Sequence, residues 1–113
     1  MATRPLTAIL TTTASGRQSW EVFEASYDLA GPVCDYLRQV HGFGTPTTPL
    51  FGLDEVVATV ARPGMRLSVG WDNWSGFYVF GDSEAADTVV RQLAADLTPR
   101  LAEPAFAVCA QDW

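Results

Sequence analysis

The chain has 113 residues, of which 48% are hydrophobic and 18% charged, and this composition excludes a disordered protein. Its 13 acidic residues and seven arginines give a net charge of −6, which excludes nucleic acids and anionic membranes as expected partners, because both repel an acidic surface. We therefore expect one domain over residues 1–113, with a basic protein as the complement of its charge.

The lysine and cysteine content and the N-terminal segment indicate the source and cellular location of the chain. The absence of lysine is typical of the codon bias of a high-GC bacterial or phage genome. Cys34 and Cys109 lie far apart and fit neither a redox motif nor a zinc site, so we expect two reduced thiols. The N-terminal apolar run is too weak for a signal peptide, and no run approaches the roughly 18 residues of a membrane span. We expect a cytoplasmic protein.

The first predicted elements are two strands, over residues 6–12 and 19–25, joined by a turn. Alternation in the second strand directs Trp20 and Val22 towards the core and Phe23 to the opposite face. These residues predict the start of a half-buried sheet.

A helix is predicted next, because apolar residues recur at helical spacing after Asp28. The stripe consists of Leu29, Val33, Tyr36, Leu37 and Val40. Pro32 fits only the first turn of a helix, so the helix should begin near Gly31, and Gly42 is its expected C-terminal cap.

Residues 43–49 are rich in glycine, proline and threonine and form the longest predicted loop. Beyond the loop, apolar residues at 53, 56, 57 and 60 again follow a helical spacing, with Asp54 as the N-cap. We predict a short second helix over residues 53–60, although the valines in this stretch are equally typical of a strand.

Residues 66–81 predict a β-hairpin and concentrate the aromatic residues of the chain, which makes this its most informative segment. Leu67, Val69 and Trp71 alternate with polar or small residues, so the first arm is a half-buried strand. The second arm, residues 77–80, is apolar on both faces. Such a strand is either central in its sheet or presents an aromatic face to a partner.

The last predicted helix follows Asp82 or Ser83, either of which would cap it. Its buried face comprises Ala86, Val89, Val90, Leu93, Ala94 and Leu97. Thr98-Pro99 ends or kinks the helix, and residues 105–110 predict a final short strand. Together the elements predict an α+β fold, in which an antiparallel or mixed sheet of about five strands carries two or three helices on one face.

No pattern in the sequence is typical of a catalytic or cofactor site. His41 is the only histidine, and Cys34 lies about 10 Å away along the predicted helix, beyond hydrogen-bond reach. The carboxylates suit helix starts better than a calcium loop, and the glycines form no phosphate-binding motif. We therefore expect no enzymatic activity, no metal and no cofactor.

The tip of the hairpin is the predicted binding site. Asp72 and Asn73 are typical turn formers, and an exposed Trp74 beside them resembles the aromatic anchors of protein interfaces. The predicted partner-binding residues are Trp71, Asp72, Asn73, Trp74, Tyr78 and Asp87. We interpret the chain as a non-enzymatic inhibitor of the immunity-protein or antitoxin type, which binds a basic protein stoichiometrically.

Two other functions stay open at the level of sequence. One is a small-molecule site lined by the aromatic side chains of Trp20, Trp71, Tyr78 and Phe80. The other is a self-associating structural subunit, such as a homodimer, in which the strand over residues 77–80 buries its second face against another copy.

Overall fold

The computed structural model describes residues 6–107, in which six strands form one antiparallel sheet. The strands are β1 (Thr7–Thr12), β2 (Gln18–Phe23), β3 (Leu50–Phe51), β4 (Glu55–Arg62), β5 (Met65–Asp72) and β6 (Gly76–Gly81). Their order across the sheet is β1-β2-β6-β5-β4-β3. The pairing of β2 with β6 therefore joins the N-terminal hairpin to the meander of β3 to β6 and gives β6 a strand on each side.

Within the described residues the α-helices are α1 (Ala30–His41), α2 (Glu84–Leu97) and α3 (Pro104–Ala107), and short 3-10 helices cover Tyr27–Leu29 and Thr98–Ala102. α1 and α2 pack on the same face of the sheet, because one core joins their buried residues to the register neighbours Trp20, Val79 and Val69. The predicted α+β fold is confirmed, with six strands in place of about five. No helix in this part of the chain is long and apolar enough to cross a membrane.

α2 matches its prediction closely. The Ser83 hydroxyl accepts a hydrogen bond from the backbone N–H of Ala86 at 3.2 Å, as expected of an N-cap, and all six predicted apolar residues are buried. Gly81 lies beneath this helix, where a Cβ atom would clash with Ala86. Glycine at this position therefore lets α2 approach the sheet closely.

α1 also follows its prediction. It ends at His41, and Gly42 caps it in the left-handed conformation with φ of 73°. Leu37 is fully buried, like most of the predicted stripe, whereas Val40 is 57% exposed and lies outside the core.

The predicted helix over residues 53–60 is wrong, because residues 55–60 belong to strand β4 and residues 53–54 lie in the turn before it. Leu53 is fully exposed, while Ala58 and Val60 face the core in strand alternation. Eight residues of β4 pair in register with β5. β-Branched valines suit both the helical spacing and a pleated strand, and the hydrogen bonds to β5 decide between the two.

The predicted final strand is also wrong where the structure describes it, because residues 104–107 form the short helix α3. Pro104 stands at its first position, where a helix tolerates the missing N–H. Phe106 is buried, with the Arg100 guanidinium 5.2 Å from the centre of its ring. Residues 108–110 of the predicted strand lie outside the described residues.

The hairpin over residues 66–81 is confirmed as β5 and β6, and β6 is the strand with two apolar faces. Phe77 and Val79 face the helices, while Tyr78 points to the other side and is only 7% exposed. The Tyr78 ring lies over Gly70, its neighbour on β5, where a Cβ atom would clash with it. The second apolar face of β6 is therefore already largely covered within one copy of the chain.

Candidate functional site

The β5–β6 turn is held by a single carboxylate. Oδ1 of Asp72 accepts hydrogen bonds from the backbone N–H groups of Trp74, at 2.9 Å, and Ser75. Gly76 follows with φ of 76°, and a Cβ atom there would clash with the carbonyl oxygen of Val22. The predicted turn role of Asp72 is confirmed, and Asp72 and Gly76 together fix the backbone that carries Trp74.

Trp74 is 78% exposed at the tip of this turn. The neighbouring β3–β4 turn lies beside it, because the backbone N–H of Asn73 donates to the carbonyl oxygen of Asp54 at 3.1 Å. Strand β3 and this turn add three exposed apolar side chains, which are Leu50 at 72% and Phe51 at 76% on β3 and Leu53 at 103% in the turn. We call residues 50–55 and 72–75 together the Trp74 end of the sheet.

The Trp74 end is acidic as well as apolar. It contains Asp54, Glu55 and Asp72 but no basic residue. Glu55 and Asp72 lie directly opposite each other on β4 and β5, an arrangement in which like charges repel. The Tyr78 hydroxyl donates to Oε2 of Glu55 at 2.8 Å, and burial together with this bond raises the pKa of Tyr78. The carboxylate of Glu55 is therefore held in place.

The six predicted binding residues do not all reach one surface. Asp72, Asn73 and Trp74 form the turn itself. Trp71 is partly buried on the helix face, and its Nε1–H is buried with no acceptor among the described residues. Tyr78 is buried on the opposite face, where it supports Glu55.

Asp87 lies away from the other predicted binding residues and has contacts of its own. It is 4% exposed, and its Oδ1 accepts a hydrogen bond from the backbone N–H of Gln18 at 2.9 Å. Its Oδ2 lies 3.5 Å from a guanidinium nitrogen of Arg17. These contacts join the first turn of α2 to the start of β2, so the side chain acts inside the fold.

Leu50, Phe51 and Leu53 were not predicted as surface residues. The available signal was an apolar run broken by Gly52 directly before the acidic pair at 54–55, which is typical of an exposed turn. The helical spacing of the following valines outweighed that signal. Their position beside Trp74 follows only from the pairing of β4 with β5.

The predicted aromatic pocket is not brought together by the fold. Trp20 and Trp71 lie on the helix face of the sheet, whereas Tyr78 and Phe80 stack on each other on the opposite face, with ring centres 5.7 Å apart. These four side chains therefore share no cavity.

A groove of about 480 Å³ lies elsewhere, between α1 and residues 46–49, and Cys34 lines it. Burial raises the pKa of the Cys34 thiol to about 11. At neutral pH this thiol is protonated and weakly nucleophilic.

Tyr36, His41 and Asp96 form a second cluster of titratable groups. The Tyr36 hydroxyl donates to Oδ2 of Asp96 at 2.5 Å and lies 3.0 Å from Nε2 of His41. Burial and the nearby Arg62 lower the pKa of His41, while the bond from Tyr36 lowers the pKa of Asp96. Because the cluster links the end of α1 to α2, we assign it a structural role.

Comparison with known proteins adds no relative: no family model, curated protein or solved structure matches the chain. Within residues 6–107, no group of three or more histidine, cysteine, aspartate or glutamate side chains is arranged to hold a metal ion. The Trp74 end is the part of the described chain in which the predicted anchor, Trp74, occurs together with further exposed apolar side chains.

Proposed function

We propose that this chain is a non-enzymatic cytoplasmic protein that binds and neutralises a basic protein partner stoichiometrically, in the manner of an immunity protein or antitoxin. The observation that carries the proposal is Trp74. It is 78% exposed on a turn held by Asp72, and the neighbouring β3 and its following turn carry three more exposed apolar side chains.

The energetic argument begins with the exposed tryptophan. A few large side chains, with tryptophan prominent among them, supply most of the binding energy in protein interfaces. Exposed apolar side chains grouped on one surface are typical of interaction sites. Because Asp72 already fixes the turn, binding would order little additional backbone, and a smaller entropy loss favours affinity.

The electrostatic argument concerns the sign of the partner. The net charge of −6 creates a negative field, and the Trp74 end adds three local carboxylates without a basic residue. Such a surface attracts a basic partner and accelerates encounter, and salt screens the attraction. The charge of this chain therefore favours a basic partner over a partner with a neutral or acidic surface, as expected for an inhibitor of a basic protein.

Affinity capture from the source lysate tests the proposal with two matched variants. Trp74→Ala removes the exposed anchor, while Val40→Ala removes an apolar side chain that is 57% exposed on α1. We expect the native chain and Val40→Ala to retain one stoichiometric basic protein. Trp74→Ala should weaken its binding by about 30-fold or more, the effect of losing a hot-spot residue.

An inhibition assay with the purified partner then tests whether binding neutralises it. Its activity in the host or in vitro should be inhibited at a one-to-one ratio by the native chain and not by Trp74→Ala. An acidic partner, or equal binding by the native chain and Trp74→Ala, would overturn the proposal. Circular dichroism and thermal unfolding of both variants exclude loss of fold as the cause.

A further inference from the structure

The two edges of the sheet differ in how they are covered. At the β4 side, β3 pairs with β4, and the preceding loop adds backbone hydrogen bonds of 2.9 Å from Gly44 to Ala61 and from Thr47 to Thr59. At the other side, β1 pairs with β2 along its whole length and is the last strand of the sheet in the described residues. Within residues 6–107, the outer backbone groups of β1 therefore form an open edge.

β1 lacks the features that usually protect an open edge. Natural edge strands carry charged residues, proline or bulges that prevent pairing with another strand. Residues 7–12 contain none of these and pair with β2 without a break. Ile9 is 43% exposed and Leu10 is 42% exposed, and consecutive strand residues point to opposite faces. Apolar surface thus flanks the open backbone on both sides.

The charge pattern indicates which strand fits this edge. No charged residue occurs between positions 5 and 16, although the chain carries a net charge of −6. A basic partner would gain no attraction here, and two copies can meet at this edge without placing carboxylates in contact. A second β1 brings the same uncharged, apolar edge.

We propose that β1 pairs antiparallel with β1 of a second copy, so that the two sheets become continuous across a two-fold axis. Residues paired across antiparallel strands point to the same face, so the two-fold axis places one residue opposite its own copy. The two registers that pair the most residues of β1 place Ile9 opposite Ile9 of the second copy or Leu10 opposite Leu10. Each register buries an exposed apolar side chain against its own copy and pairs the outer backbone groups.

The expected dimer is weak. Six-residue strands pair over only about 20 Å, which buries less surface than a stable interface of about 1,600 Å². We therefore expect a dissociation constant in the range of about 10 µM to 1 mM. The fraction of dimer should rise as the protein concentration increases, and the dimer leaves the Trp74 end uncovered.

Analytical ultracentrifugation of the full chain tests this proposal. The average mass should rise from 12.3 kDa towards twice that value as concentration increases from about 10 µM to about 1 mM. Ile9→Lys with Leu10→Lys should abolish the rise. The control, Gln39→Lys with Val40→Lys, introduces the same charges at exposed positions of α1 and should leave it unchanged.

Hydrogen exchange of the native chain supplies a readout that needs no variant. Amides of β1 should exchange several-fold more slowly at high concentration, while amides elsewhere in the sheet stay unchanged. A chain that is monomeric at every concentration overturns the proposal. A dimer that survives the edge lysines, or one that both lysine pairs abolish equally, also overturns it.

Salt should affect the β1 dimer and the binding of a basic partner in opposite directions. Higher salt screens the repulsion between two chains of net charge −6, so it should strengthen the dimer. The same salt should weaken binding of a basic partner at the Trp74 end. Trp74→Ala should leave the dimer intact, so either proposal can fail while the other stands.

Discussion

The two ends of the sheet differ in whether their carboxylates lie near arginines of the same chain. At the far end from Trp74, Arg17 lies 3.5 Å from Asp87, and Arg66 lies 3.9 Å from Asp82. There the acidic groups meet arginines of the same chain. At the Trp74 end, three carboxylates have no basic residue among their neighbours in sequence, and four large apolar side chains are exposed.

This difference separates charge that stabilises the fold from charge that is available to a partner. A buried carboxylate with a backbone donor contributes to stability, whereas exposed acids on turns contribute little to it and much to encounter rates. Removing the buried carboxylate of Asp87 should therefore alter unfolding, whereas removing the exposed charges of Asp54 and Glu55 should alter binding.

The largest effect is expected at the far end. Asp87→Ala leaves the Gln18 N–H without its acceptor and Arg17 without its partner, so the free energy of unfolding should fall by about 2 kcal/mol. Urea denaturation measures this loss. The control Asp82→Ala breaks a largely exposed ion pair and should change stability by less than about 0.5 kcal/mol. Equal losses in the two variants would contradict the comparison.

A smaller effect is expected at the turn beside Trp74. Leu53→Ser removes a fully exposed apolar side chain, so stability should stay unchanged while affinity for the captured partner falls about 5-fold. Val40→Ser removes exposed apolar surface from α1 and serves as the control in calorimetry or surface plasmon resonance. A loss of affinity in both variants would show that the turn has no special role.

The acids of the Trp74 end should act mainly on the association rate. Asp54→Asn combined with Glu55→Gln removes two charges but keeps an acceptor for the Tyr78 hydroxyl. Association at low salt should slow about 3-fold or more, with a smaller change in dissociation. Stopped-flow measurements should show this difference disappear at high salt. Asp82→Asn, at the far end, should change the rate less.

The smallest expected effect is on the pH dependence of stability, and it arises from His41 at the end of α1. The pKa of His41 is lowered in the folded chain, mainly by burial, so folding favours the neutral imidazole. Its contribution to stability is complete above pH 6.5 and is lost as pH falls through the lowered pKa. Thermal unfolding between pH 7.5 and 5.5 should show a shallower pH dependence for His41→Gln than for the native chain. Identical slopes would assign the dependence to other groups.

Local sequence determined the elements whose signals lie within one turn or one strand. The Ser83 cap and apolar face of α2, the Gly42 cap of α1, the alternation of Trp20 and Val22, and the Asp72 turn all follow from neighbouring residues. Each depends on helix or strand periodicity or on a side chain that bonds its own backbone, so no distant contact is needed to predict it.

Tertiary structure decided what depends on pairing between distant segments. The valines of β4 fit both a helix and a strand until β5 pairs with them, and the same pairing brings residues 50–53 beside Trp74. Burial of Asp87 likewise depends on β2, which supplies Gln18 from the other end of the chain. Hydrogen bonds across the sheet supply this information, and local periodicity does not contain it.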